Sequence, residues 1–73
     1  VSRDVLVSFA ENLRRLRTER GITQEELGSR AGIQMADISR YETGNRDPRV
    51  TTLARLADAL GISIAELLET GQS

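Results

Sequence analysis

The tightest constraint on this chain is a two-residue gap. Between Ala31, where one run of helical periodicity ends, and Gln34, where the next begins, only Gly32 and Ile33 remain. A connection that short cannot return a second helix antiparallel to the first. It makes the two axes cross steeply, with Gly32 in the left-handed conformation and Ile33 tucked beneath the corner. Gly28, in the middle of the preceding helix, is less favourable there than alanine by about 1 kcal/mol. Its missing side chain predicts a close approach by the segment that follows.

The rest of the chain is punctuated in a similar way. S/T-x-x-E boxes, in which a hydroxyl and a carboxylate satisfy two free amides at a helix start, occur at Ser8 with Glu11, Thr23 with Glu26, and Ser63 with Glu66. Gly21, Gly32, Gly44 and Gly61 stand where helices should stop. Between these signals the apolar residues recur at helical spacing, as in Phe9, Leu13 and Leu16, or Leu53, Leu56 and Leu60. No useful length alternates like a strand. The reading is all-α: one domain over residues 1–73 with five short helices. They fall at about 8–20, 24–31, 34–43, 50–60 and 64–69, and the first starts near Asp4 if Val5 and Leu6 extend its stripe. Residues 71–73 are expected to fray.

The third helix needs only Ile38 and Tyr41 on its inner side. Gln34, Met35, Ala36, Asp37, Ser39 and Arg40 are then left outside. A polar face is ordinarily just a solvated one. Met35 is the exception, because an apolar side chain at an exposed helix start gains nothing from water.

Composition narrows the chemistry. The chain has 73 residues with neither Cys nor His, which removes disulfides, thiol chemistry, most zinc sites and the usual general base. Nothing resembles a Gly-rich phosphate loop, and three of the glutamates are assigned to capping, so no enzyme, cofactor or metal is expected. With no span-length apolar run and no signal-peptide pattern, we expect a cytoplasmic chain with no membrane partner. The net charge of −1 argues against nucleic acid, but its distribution does not. Residues 1–55 hold ten Arg against eight acids, a net +2, while residues 56–73 hold three acids and no base. Every cation is Arg, whether through coding bias or function, and a guanidinium fork suits phosphate and guanine.

At this point the residues resemble a family. Thr23-Gln24-x-x-Leu27, Gly32-Ile33, Ile38-Ser39-x-Tyr41-Glu42-x-Gly44, Pro48, Leu53 and Leu56-Ala57-x-x-Leu60-Gly61-Ile62-Ser63 are similar to the phage-repressor-like (Cro/repressor type) helix-turn-helix family, over roughly residues 9 to 69. The resemblance implies a compact five-helix lambda-repressor-like DNA-binding domain. Its second helix braces against phosphates and its third enters the major groove. It further implies base reading by Gln34, Met35, Ala36 and Arg40, with Asp37 either near bases or paired with Arg40. Phosphate contacts are implied for Gln24, Thr43, Asn45 and Arg46, and Arg49 is a further candidate. Arg17 and Glu42 match a family ion pair that ties helix one to the end of helix three. The sequence departs from the family at Gln34 and Arg49, where Ser or Thr caps are frequent.

A net +2 is weak for a monomer on DNA, so a homodimer on a palindromic operator is expected. Ile64, Leu67 and Leu68 are its candidate interface, with Val5 and Leu6 from the first helix. The function expected is a sequence-specific transcriptional regulator, a repressor in the first instance. The alternative is a protein-interaction module of the same fold, such as an antitoxin or anti-activator, whose net acidity would suit a basic partner.

Overall fold

The computed structural model describes residues 3–70; the fraying expected for residues 71–73 lies outside them. Five helices follow one another: α1 (Arg3–Glu19), α2 (Gln24–Ala31), α3 (Met35–Glu42), α4 (Val50–Leu60) and α5 (Ile64–Leu68). No strand occurs among the described residues.

Two of the three capping boxes form. Thr23 Oγ1 accepts from the Glu26 amide at 3.0 Å, and Glu26 Oε1 accepts from the Thr23 amide at 2.8 Å. The Thr23 amide, and after it the Thr23 side chain, stabilise the charged Glu26 carboxylate and hold it below its ordinary pKa. Ser63 and Glu66 repeat the arrangement at the start of α5. The Ser8 and Glu11 box does not form, because α1 is already helical from Arg3 and both residues lie within it. Val5 and Leu6 account for the earlier start: both are half-buried, and Leu6 packs against the core. Burial of an amphipathic face outweighs a local capping signal. Gln34 and Arg49 cap α3 and α4 without any side-chain hydrogen bond.

The core is aliphatic around one aromatic pair. Phe9 and Tyr41 meet edge to face, with centroids 5.9 Å apart and planes at 70°, a favourable geometry that joins α1 to α3. Leu13, Leu27, Ile38, Leu56 and Leu67 are fully enclosed with Phe9, so each of the five helices contributes to one centre. The helices pack in the pairs α2–α3, α1–α3, α1–α5, α2–α4 and α4–α5. Leu67 therefore leaves the set of interface candidates. Its side chain fills the monomer interior, whereas Ile64 and Leu68 are half-buried and only flank the core.

Two polar side chains fix the ends of distant helices. Buried Asn12 on α1 donates through Nδ2 to Leu67 O at 3.0 Å and Glu69 O at 2.7 Å, satisfying carbonyls at the end of α5. Arg20 donates through Nε to Leu60 O at 2.9 Å, and so does the same for α4.

Candidate nucleic-acid interface

The corner between α2 and α3 sets the site. Gly32 lies at φ 70°, ψ 35°, and the Ile33 amide donates back to Gly28 O at 2.9 Å. The turn lies directly on α2. A Cβ at Gly28 would stand 2.4 Å from Ile33 O, so only glycine admits that backbone at this distance. Ile33 is half-buried against the core, beneath the corner.

α3 consequently covers the core with Ile38 and Tyr41 and turns its other residues out. Gln34, Met35, Ala36 and Arg40 are exposed, and Met35 retains 53% of its surface in solvent. Asp37 and Ser39 are half-buried. Asp37 Oδ1 accepts from Arg40 Nη1 at 2.9 Å and from Arg46 Nη1 at 2.5 Å. The loop after α3 is anchored to the helix end: Thr43 Oγ1 donates to Ser39 O and Arg40 O, and the Asn45 amide donates to Arg40 O. Thr43, Asn45, Arg46 and Arg49 are all exposed. Loop and helix thus form one surface that carries Arg40, Arg46 and the apolar Met35.

Beneath the far end of α3 lies a buried polar junction. The Glu42 side chain is 4% exposed and the Arg17 side chain 13%. Arg17 donates to the Glu42 carboxylate through Nε at 2.6 Å and Nη2 at 3.1 Å, and Gln24 Nε2 adds a third bond at 3.1 Å. Arg17 Nη1 also donates to Ile22 O at 2.9 Å. Hydrogen bonding to Glu42 is the largest influence on Arg17 and raises its pKa above the ordinary value, against the opposing effect of burial. One carboxylate therefore joins α1, α2 and α3. The structure also gives Gln24, the expected phosphate ligand, an internal partner.

Sequence reasoning missed the second cation on Asp37, the third arm on Glu42, and the roles of Asn12 and Arg20. Asn12 left a trace, since it stands three residues from Phe9 on an otherwise apolar stripe. Among the described residues, no group of three or more His, Cys, Asp or Glu could hold a metal, and no helix is long and apolar enough to cross a membrane.

Two helices crossing at a glycine corner, the second turned outward and braced from behind, define a helix-turn-helix protein, a class of DNA-binding regulators rather than enzymes. The chain belongs to the family described as a helix-turn-helix domain, which matches residues 8–70. It is 49% identical over 65 residues to the uncharacterized transcriptional regulator y4dJ of Sinorhizobium fredii, covering 89% of this chain and 84% of that one. Among solved structures it is similar to the restriction-modification controller protein C.AhdI of Aeromonas hydrophila, at a TM-score of 0.82 with 37% identity, covering 85% of this chain and 94% of that one. It also resembles the P22 c2 repressor in complex with a synthetic operator, at a TM-score of 0.80 with 31% identity and the same coverages. The chain spans about half the length of several other regulators to which it is similar.

Proposed function

We propose that residues 1–73 act as one domain that reads double-stranded DNA, with α3 in the major groove, and that the chain is a cytoplasmic transcriptional repressor working as a homodimer on a palindromic operator. The observation that carries this reading is the exposed ridge of Gln34, Met35, Ala36 and Arg40, which the core does not use. Each residue type has a counterpart on a base edge. Arg40 can donate twice to guanine O6 and N7, Gln34 can pair with adenine, and Met35 and Ala36 can pack on a thymine methyl. In this reading Thr43, Asn45, Arg46 and Arg49, all exposed, contact the sugar-phosphate chain. Gln24 retains a second amide hydrogen for a phosphate while the first stays on Glu42. The relatives named as repressors and the neighbour crystallised with operator support this reading.

Selection from a random duplex pool followed by a salt titration tests it. An enriched sequence is expected, with log K falling by about 0.9 per phosphate contacted for each tenfold rise in salt. Arg40→Ala is expected to lose about 1–3 kcal/mol of discrimination at one base pair. Equal weakening on all sequences makes Arg40 a phosphate contact instead. Absence of any enrichment favours the protein-interaction alternative, to which the net acidity of the chain points.

Two copies double the contacts and suit half-sites about one helical turn, 34–36 Å, apart. Ile64 and Leu68, with Val5 and Leu6, are the half-buried apolar residues for the interface. Sedimentation should find a dimer, or a monomer that dimerises on the enriched duplex. A persistent monomer on that duplex, at tens of micromolar protein, refutes the homodimer.

A further inference from the structure

We propose that Asp37 is a specificity-determining residue: an internal counter-anion that occupies Arg40 and Arg46 in the free protein and so suppresses binding to DNA of the wrong sequence. This rests on the DNA-reading function proposed above.

A single oxygen, Asp37 Oδ1, accepts from both guanidinium groups. One of the two, Arg40, lies one helical turn along α3; the other, Arg46, reaches back from the loop. Its approach is not that of an unanchored surface chain. The Asn45 amide is held on Arg40 O at 3.0 Å, and Asn45 Nδ2 donates to Thr43 Oγ1 at 3.0 Å, which fixes the loop against the end of α3 immediately before Arg46. Asp37 is 30% exposed, whereas Arg40 and Arg46 are 57% and 48% exposed. The anion therefore sits partly beneath two cations on the face that meets DNA.

Every duplex offers phosphates. A guanidinium that leaves Asp37 for a phosphate exchanges one anion for another and leaves a carboxylate facing a polyanion. The gain is small, and it is the same for all sequences. The outcome differs where the adjacent bases match. Arg40 then gains two bonds to guanine, and the released carboxylate can accept from cytosine N4 in the same groove. The correct base pair offsets the loss of the internal pairs, and other sequences do not. Asp37 thus lowers non-specific affinity more than specific affinity.

The test compares Asp37→Asn with wild type on a random-sequence duplex pool and on the duplex that wild type enriches from it, each over a salt series. Binding to the pool is expected to tighten about 3- to 10-fold, and its salt slope to steepen by about 0.9 as a released Arg takes up a phosphate. Affinity for the enriched duplex should change less, so discrimination falls. Asp58→Asn removes the same formal charge from α4, outside this cluster, and should leave both affinities within about twofold because screening limits its reach. Arg46→Gln should weaken pool binding more in the Asp37→Asn background than in wild type, since only there is Arg46 already released.

Unchanged or weaker pool binding by Asp37→Asn overturns the inference and leaves DNA reading standing. Equal effects of Asp58→Asn, or of Arg46→Gln in the two backgrounds, also overturn it. A wild-type protein that binds neither the pool nor any selected duplex defeats the DNA-reading function and this inference together.

Discussion

Glu42→Ala is expected to lower the melting temperature by roughly 12 °C or more, while base preference survives in the protein that stays folded. Glu42 is almost wholly enclosed and accepts three hydrogen bonds, two of them from Arg17. Truncation leaves the Arg17 guanidinium buried without its counter-charge, a change of about 3–5 kcal/mol for a fully buried pair. A chain of this size is stable by only about 4–11 kcal/mol in total, and each kcal/mol moves its midpoint by about 4–8 °C. Base preference, measured well below the melt, should hold because the Glu42 side chain points to the inner side of α3 and not onto its outer ridge. Glu42→Gln keeps an acceptor for Arg17 and Gln24 and should recover part of the loss. Replacing both partners, Arg17→Met with Glu42→Leu, should melt above Glu42→Ala, because no uncompensated charge remains. An unchanged melt for Glu42→Ala shows that the junction does not stabilise the fold.

What could be read from the sequence follows the range of the interactions. The Thr23 and Ser63 boxes are local, three residues wide, and both form. The Ser8 box is equally local, yet the half-buried Val5 and Leu6 carry the helix past it, and a three-residue pattern holds no information about that packing. Spacing also fails in α5. In a helix of five residues, Ile64, Leu67 and Leu68 share one side, and only the docked structure shows that Leu67 enters the core. Asn12 and Arg20 reach carbonyls 55 and 40 residues away, for which no sequence pattern exists. The outward ridge was legible for the opposite reason. Ile38 and Tyr41 suffice to seat α3, so an apolar Met35 beside them has no structural role. The pairing of Asp37 with Arg46, nine residues on and across the loop, was not legible.

Gly28→Ala tests the corner itself. On helix propensity alone the substitution should stabilise α2 by about 1 kcal/mol, because glycine in a helix interior is the poorer residue. The geometry reverses that sign. The new Cβ would lie 2.4 Å from Ile33 O and 3.5 Å from both Ile33 C and Met35 N. The closest of these is a backbone atom that cannot rotate aside. The turn must move off α2, straining the bond from the Ile33 amide to Gly28 O and shifting the first residues of α3 with it. Overpacking of this kind costs about 1–3 kcal/mol, so a net loss of stability is expected despite the better helix former. The effect on DNA should exceed the effect on the melt. In the proposed reading of bases by Gln34 and Met35, a shift of even a fraction of an ångström would misalign them with base edges, whereas the core loses little. Gly32→Ala provides the contrast. A Cβ there meets nothing within 4 Å, and the residue is strained only through its φ of +70°. It should destabilise by about 1–2 kcal/mol and leave the discrimination of the folded protein close to wild type. If Gly28→Ala instead raises the melting temperature and binds the enriched duplex as wild type does, then α3 does not depend on this close approach for its position.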